Sequence, residues 1–272
     1  ILTDEIKKAT SDLQNANVKL QDLDKLKDDF VSIASHELRT PMTAIRSYVW
    51  MSLHRSDIPL SDKLKRYLYR TLISTERLIN LVNDLLNVSR IEGGKIEVTP
   101  VSLDIIALVK DVIEDIKAKA DEKKIKLFIL DHPNMPKVFA DPDKIREVLL
   151  NLLGNSLKFT YPDGTITVDF FTDGRLLDIS VKDTGAGISK EDLGRLFQKF
   201  GRLENSYVSM STSGGTGLGL YISKSLVELM KGKIWATSEG GGKGTTFTFS
   251  LPIATETVIK EAAKYSNVVS ED

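Results

Sequence analysis

One histidine of this sequence stands among residues that could make it a nucleophile. His36 lies in a glycine-free stretch that predicts a helix, and a neutral imidazole is nucleophilic near neutral pH. Thr40 follows by four residues, so a hydroxyl shares its helix face, and Pro41 predicts a bend one turn later. Glu37 is the nearest acid that could fix the imidazole tautomer, but adjacent helical residues do not face each other. The alternative is that His36 is an ordinary packing or surface residue.

Two glycine-rich segments could bind a base or a phosphate. The segment Asp183-Thr184-Gly185-Ala186-Gly187 follows a predicted strand, where a turn would expose backbone N–H groups and one carboxylate. The segment Gly214-Gly215-Thr216-Gly217-Leu218-Gly219 precedes a predicted helix, whose free N–H groups and positive dipole end favour a phosphate. Glycines also form plain turns, so neither segment is specific alone. No strand leads directly into the second segment, which disfavours a dinucleotide-binding fold.

Two asparagines on a predicted helix form a third group. Asn151 and Asn155 are four residues apart, with Lys158 close by, so the three side chains could approach a metal-bound polyphosphate. Asparagine pairs on helices are more often ordinary surface residues. The three residues indicate a polyphosphate site only in combination with the glycine-rich segments.

Composition excludes several classes of function. The 272 residues suffice for about two domains, and a formal net charge of -1 gives no basic field for nucleic acid or anionic lipid. The lack of cysteine excludes disulfides and thiolate metal sites. The longest uninterrupted aliphatic stretch, 105–109, is too short to span a bilayer. We therefore expect a cytoplasmic chain without a nucleic-acid partner.

The glycine-free part, residues 1–92, predicts long helices. Residues 1–27 carry a heptad pattern typical of a parallel coiled coil, with an ordinary amphipathic surface helix as the alternative. Residues 28–92 predict a helical hairpin that turns at 55–59, has Ser61 as a cap and stops at Gly93 and Gly94. Two helices cannot bury both apolar stripes alone, so we expect a dimeric four-helix bundle.

Residues 93–254 predict a mixed α/β domain. The pattern favours a strand at 95–99, a β-hairpin from 165–172 and 176–182, a helix at 193–200, and a polar loop at 204–215. Residues 255–272 predict a weak helix and tail, or a linker. Because the chain begins at Ile1 rather than methionine, we interpret it as a fragment without its upstream sensor, through which the full-length protein could attach to a membrane.

These motifs, in this order, closely resemble those of the kinase core of bacterial-type sensor histidine kinases, over about residues 28–252. The stretch 30–41 resembles the H box, 151–160 the N box and 183–187 the first glycine box. The stretch 197–200 resembles the F box, 215–220 the second glycine box and 244–247 the terminal glycine-threonine element. The resemblance implies a helical dimerisation and phosphoacceptor hairpin followed by an α/β-sandwich ATP-binding domain of the GHKL type.

The resemblance also implies a role for each matching residue. His36 would accept the γ-phosphoryl group of ATP, Glu37 would orient or deprotonate it, and Thr40 would position water for dephosphorylating a partner. Asn155 would hold Mg²⁺. The nucleotide would be bound by Asn151, Asn155, Lys158, Phe159, Asp183, Gly185, Gly187, Gly215, Thr216, Gly217, Leu218, Gly219 and Thr245. Lys199, in place of an F-box arginine, and Ser156, in place of the common alanine, depart from the family, and we expect the serine to matter little.

The resulting hypothesis is a homodimeric, ATP-dependent autokinase that phosphorylates His36 and transfers the group to an aspartate of a response-regulator receiver domain. One alternative is an enzyme that works mainly as a phosphatase of that regulator, and another is a catalytically silent nucleotide-binding scaffold. A helical adaptor without nucleotide is the least favoured alternative. The two other histidines, His54 and His132, are interpreted as structural or surface residues.

Overall fold

The computed structural model describes the main chain of residues 2–55, 59–130, 132–201 and 216–260, and most side chains before residue 33 lie outside this description. The chain divides into two compact units, Ile1–Ile96 and Glu97–Asp272. Within the described residues, no helix combines the length and the apolar character that crossing a membrane requires.

The first unit is a helical hairpin of α1 (Leu2–His54) and α2 (Asp62–Glu92), which confirms the helices predicted from the glycine-free stretch. Ser61 caps α2, since its hydroxyl accepts a hydrogen bond from the Leu64 N–H at 3.3 Å. Gly93 and Gly94 end it, the latter with φ of 62°. The helix α1 continues through Pro41, so the proline does not terminate it.

The hairpin leaves a large part of its apolar surface uncovered. Between its helices it buries Met42, Val82, Leu86 and Val88. Exposed apolar and aromatic side chains of this unit are Ile33, Leu38, Ile45, Tyr48, Trp50, Met51, Leu64, Tyr67, Tyr69, Ile73, Leu78, Leu81 and Leu85. A surface of this extent and composition is typical of a protein interface.

The second unit is an α/β domain. Its elements in chain order are β1 (Val101–Leu103), α3 (Ile105–Glu122), β2 (Lys126–Ile129), β3 (Val138–Ala140), α4 (Pro142–Phe159), β4 (Thr165–Thr172), β5 (Leu176–Asp183), α5 (Lys190–Leu193), α6 (Gly219–Leu229), β6 (Ile234–Thr237) and β7 (Thr246–Pro252). The five-stranded sheet has the order β2-β4-β5-β7-β6, with β2 and β4 parallel and the other neighbours antiparallel. The strands β1 and β3 form a separate antiparallel pair.

The main core lies between α3, α4 and α6 and one face of the five-stranded sheet. Burial alternates along the central strands, so that Val168, Val181 and Phe247, which pair across three neighbouring strands, are all buried. Leu149 and Leu152 of α4 are fully buried as well. This is the two-layer sandwich that the fold class predicted.

Two predicted elements were wrong. Residues 95–99 form no strand, and the short strand β1 follows them, held by the β3 strand that the sequence pattern missed. The predicted helix at 193–200 is instead α5 at 190–193, because Ser189 caps it earlier by accepting from the Asp192 N–H and Gly194 ends it. Residues 256–260 are helical, whereas the predicted loop at 204–215 and the rest of the predicted tail lie outside the described residues.

Asp141 joins the start of α4 to the preceding segment. Its Oδ1 accepts from the backbone N–H groups of Asp143 and Lys144, and its Oδ2 accepts from the backbone N–H and hydroxyl of Thr99. Burial alone would raise its pKa, but these hydrogen bonds outweigh that effect and lower the pKa below its usual value. The ionised carboxylate therefore stabilises the fold above the usual aspartate pKa, and this contribution is lost as the pH falls through the lowered pKa.

We expect Asp141→Ala to destabilise the second unit by about 2 kcal/mol, since it removes a helix cap and the Thr99 contacts. The chain has two tryptophans, so in a Trp50→Phe background Trp235 fluorescence would follow urea unfolding of this unit alone. Asp141→Asn is the comparison, because its amide oxygen keeps the helix cap and only the acceptor for Thr99 is lost, so at neutral pH it should lose less stability than the alanine variant. Equal stability of the alanine and asparagine variants would contradict this role.

Candidate functional site

The predicted phosphoacceptor lies on the surface of α1. The His36 and Glu37 side chains are 75% and 78% exposed, and Nδ1 of the histidine is 3.8 Å from Oε1 of the glutamate. Although neighbouring helical positions point apart, the Glu37 side chain bends back towards His36. The distance between these two atoms is somewhat longer than a hydrogen bond. A carboxylate beside Nδ1 favours the tautomer with its proton there, which leaves the Nε2 lone pair for reaction.

Thr40 occupies the same helix face one turn along, as predicted. Its hydroxyl donates to the His36 carbonyl oxygen at 3.3 Å. Arg39 turns towards the other helix, where its Nη2 donates to Oδ1 of Asn83 in α2 at 2.8 Å. The hairpin therefore fixes this turn of α1 through Arg39 and leaves the imidazole exposed.

In the second unit, Asp183 ends β5 with a buried carboxylate that is 3% exposed. Its Oδ1 accepts from the backbone N–H groups of Gly185 at 2.9 Å and Thr245 at 3.2 Å. Among the described residues, its Oδ2 has one long contact, at 3.4 Å with the Ser156 hydroxyl. Burial raises the pKa of Asp183 despite these hydrogen bonds. The Asp183 Oδ1 thus already accepts two hydrogen bonds, whereas its Oδ2 can accept one from a ligand.

The glycines after Asp183 bring this carboxylate against the end of α4. The Ala186 N–H donates to the Phe159 carbonyl oxygen at 3.1 Å, and a Cβ at Gly185 would collide with that same oxygen. Gly187 has φ of 72°, and a Cβ there would collide with the carbonyl of Gly240. The close approach therefore requires glycine at both positions and places Phe159 near Asp183.

A cationic side chain accompanies the Phe159 ring. The Lys158 Nζ lies 5.0 Å from the centre of that ring, within the range of a cation–π contact. The Phe159 ring is partly exposed, so a planar base could stack on it.

The two asparagines of α4 are linked to each other and to α6. The Asn151 Nδ2 donates to the Ser223 hydroxyl at 2.8 Å, and the Asn155 Nδ2 lies 3.4 Å from the Asn151 Oδ1. Within the described residues, no group donates to the Asn155 Oδ1. An amide oxygen is a hard donor that suits Mg²⁺, so this residue fits the predicted cation. No cluster of three acidic, histidine or cysteine side chains occurs among the described residues, so phosphate oxygens and water would supply the other ligands.

The N-terminus of α6 carries the second glycine-rich segment. Gly217 has φ of 77°, and the Thr216 hydroxyl accepts from the Leu218 N–H at 3.2 Å. Among the described residues, no side chain caps α6, and the first N–H groups and the dipole of a helix favour an anion at that end. Leu218 is fully buried and could contact a nucleotide only through its main chain, while Gly215 lies outside the described residues.

Two serines of this site escaped the sequence analysis. Ser156 was expected to matter little, but its hydroxyl is the side-chain neighbour of the acceptor oxygen of Asp183. Ser223 was not singled out, although it lies one turn after Gly219 on the same face of the predicted helix. That spacing was the available signal, and only the packing of α6 on α4 shows what it means.

Two family models match this chain. Residues 26–94 match the His Kinase A (phospho-acceptor) domain, and residues 140–255 match the histidine kinase-, DNA gyrase B- and HSP90-like ATPase. The chain belongs to the histidine kinase family. The resemblance seen in the sequence, and the fold class that it implied, are thereby confirmed.

Relatives within the histidine kinase family are longer than this chain. It is 38% identical over 238 residues to the sensor histidine kinase WalK of Bacillus subtilis, a match that covers 86% of this chain and 38% of WalK. The matches cover between 14% and 38% of the length of five curated relatives.

Solved structures of histidine kinases share the fold. Full-length ShkA in complex with AMPPNP is 31% identical, with a TM-score of 0.68, and the match covers 84% of this chain and 46% of ShkA. Histidine kinase ThkA in complex with response regulator protein TrrA is 24% identical with a TM-score of 0.58, over 83% of this chain and 61% of that one. The second likeness shows the fold alone.

We expect Gly185→Ala to abolish binding of ATP, because the new methyl group would push the Asp183 turn away from the Phe159 carbonyl. Isothermal titration calorimetry of the whole chain with MgATP would measure the loss. Gly154→Ala is the matched control, since a Cβ at this exposed helix position meets nothing within 4 Å. The control should bind as the unsubstituted chain does, and wild-type affinity in the 185 variant would refute the close approach.

Proposed function

We propose that this chain is an ATP-dependent protein-histidine kinase that phosphorylates His36 and passes the phosphoryl group to an aspartate of a response-regulator receiver domain. The observation that carries the proposal is the exposed His36 imidazole, with a carboxylate beside Nδ1, in a chain whose other unit has a buried carboxylate, Asp183, with one oxygen left to accept from a ligand. The matches cover only part of the length of the relatives. The activity is therefore proposed for this chain and, through it, for the whole protein.

ATP is proposed to bind at the site in the second unit. The exocyclic amine of adenine would donate to the Asp183 Oδ2, while the ring stacks against Phe159. The N-terminus of α6 and Lys158 would bind the phosphates. Asn155 would contribute one oxygen ligand to Mg²⁺, which when bound neutralises phosphate charge during transfer.

The transfer step needs little from the protein beyond alignment and charge. With the Nδ1 proton turned towards Glu37, the Nε2 lone pair attacks the γ-phosphorus. The bond from that phosphorus to the oxygen bridging to the β-phosphate breaks, and its electrons leave with ADP. Glu37 stabilises the positive charge on the ring and accepts the Nδ1 proton. The two units must approach each other for this step, and we place the hinge at residues 89–94.

A second copy of the chain is the proposed partner of the hairpin. The exposed apolar side chains of α1 and α2 suit a four-helix bundle made from two hairpins, continued by the coiled coil of residues 1–27. We retain the boundaries 28–92 for this domain, 93–254 for the ATP-binding domain and 255–272 for the tail. A response regulator is the proposed second partner, because residues 26–94 match a phospho-acceptor domain, and Thr40 is proposed to position water when that partner is dephosphorylated. We propose a cytoplasmic location for the reaction, because ATP is its proposed substrate.

Incubating the chain with γ-labelled ATP and Mg²⁺ should label it with a phosphate that is lost in acid and survives alkali. His36→Ala should abolish the label, because no other imidazole is proposed as acceptor. His54→Ala is the matched control, an exposed histidine at the end of the same helix, and should label normally. Undiminished label in the His36 variant would refute the acceptor assignment.

Asp183→Asn should invert the preference for the base. The backbone N–H groups of Gly185 and Thr245 would hold the amide oxygen at the Oδ1 position, so the new NH₂ group would face the adenine amine. We expect ATP affinity to fall at least tenfold, or about 1.4 kcal/mol, and ITP, whose base presents an oxygen there, to bind better than ATP. Calorimetry with both nucleotides would measure this.

The same residue should set a pH dependence of binding. A protonated carboxyl cannot accept from adenine at the protonated oxygen, so ATP affinity should fall as the pH drops through the raised pKa of Asp183, which lies above the usual aspartate value. Asp178→Asn on the same strand is the control and should keep both the ATP preference and the pH profile. An unchanged base preference in the 183 variant would contradict this site.

A further inference from the structure

We propose that Ser223 is a positioning residue that determines, through Asn151, which atom of the Asn155 amide is presented to the cation. The inference rests on the proposed MgATP site. It assigns a task to a residue of α6 that touches neither nucleotide nor metal.

The first contact in this chain of side chains is short and partly buried. The Asn151 Nδ2 donates to the Ser223 hydroxyl oxygen at 2.8 Å, and Ser223 is 2% exposed. An amide N–H that is shielded from water and lacks an acceptor costs free energy, so this bond holds the Asn151 side chain against rotation about its last torsion.

The N-terminus of α6 favours the same orientation from the other side. A Cβ at Gly219 would lie 2.6 Å from the Asn151 Oδ1 and 3.3 Å from its Nδ2, so the oxygen is the atom nearer to this first residue of the helix. The positive end of the helix dipole favours an oxygen over an NH₂ group at that place. Asn151 therefore keeps its oxygen towards the helix start and its nitrogen on Ser223.

The orientation of Asn151 then fixes that of Asn155. The Asn155 Nδ2 points to the Asn151 Oδ1 at 3.4 Å, which leaves the Asn155 Oδ1 without a donor among the described residues. The two ends of an amide have nearly the same size, but only the oxygen can coordinate Mg²⁺. Without Ser223, only the helix dipole holds the Asn151 amide, so Asn151 turns over in part of the molecules and presents its own NH₂ group, and Asn155 then turns its nitrogen towards the metal.

Ser225 provides a matched comparison on the same helix. Its hydroxyl donates to the Tyr221 carbonyl oxygen at 3.1 Å, a local bond within α6. Removing this hydroxyl changes the helix as much as removing that of Ser223 but leaves both asparagines unaffected.

The test measures binding of ATP to the full chain by calorimetry, once with saturating Mg²⁺ and once with EDTA. The ratio of ATP affinity with Mg²⁺ to ATP affinity with EDTA measures the contribution of the metal. We expect Ser223→Ala to lower this ratio about tenfold, in the range found for residues that orient metal ligands. Its affinity for metal-free ATP should equal that of the unsubstituted chain. Ser225→Ala should match the unsubstituted chain in both conditions. An equal loss with and without Mg²⁺, or no loss, would overturn the inference.

Two further variants separate the possible failures. Ser223→Cys fills nearly the same volume with a poor acceptor and should reproduce the Mg²⁺-specific defect, so it carries the test where the alanine variant does not fold. Asn155→Ala tests the proposed function itself and should lose the Mg²⁺ effect. If it keeps that effect, the metal assignment fails, and the Ser223 inference fails with it. If Asn155→Ala loses the Mg²⁺ effect and the Ser223 variants keep it in full, the metal assignment stands and the Ser223 inference alone is wrong.

Discussion

A carboxylate removed from water must be compensated by hydrogen bonds, and the second unit is arranged around that requirement at Asp183. Two backbone N–H groups meet its Oδ1, one from the turn after β5 and one from the start of β7. For these donors to converge, the turn must pass so close to the end of α4 that only glycine fits at position 185. The Asp183 carboxylate is consequently positioned chiefly by main-chain donors.

The two units bury their apolar side chains to different extents. The α/β unit completes its core internally, with the helices closing one face of the sheet. The hairpin buries only a narrow line between α1 and α2 and keeps many large apolar side chains outside. The proposed phosphoacceptor therefore lies on a unit that leaves apolar surface uncovered, whereas the proposed nucleotide site lies on a unit whose core is closed.

Local chemistry made much of this architecture predictable. The cap at Ser61, the glycines at 93 and 94 and the turn at Asp173 and Gly174 each act within a few residues, and the elements that they bound lie where the sequence indicated. The pair β1 and β3 was missed because each strand has three residues and its partner is distant in the sequence. Ser156 and Ser223 were missed for a related reason, since their partners belong to other elements. The helix predicted at 193–200 was misplaced because two local signals set its true ends: Ser189 caps α5 and Gly194 ends it.

The position of β7 in the sheet has a consequence for biosynthesis. This strand is nearly the last element in the chain, but it lies between β5 and β6, and the residue before it supplies an N–H to Asp183. A nascent chain that has not yet reached residue 245 therefore leaves β5 with an open edge and the buried carboxylate with one donor fewer. The surroundings of Asp183 are therefore complete only after residues 245–252 have been added to the sheet.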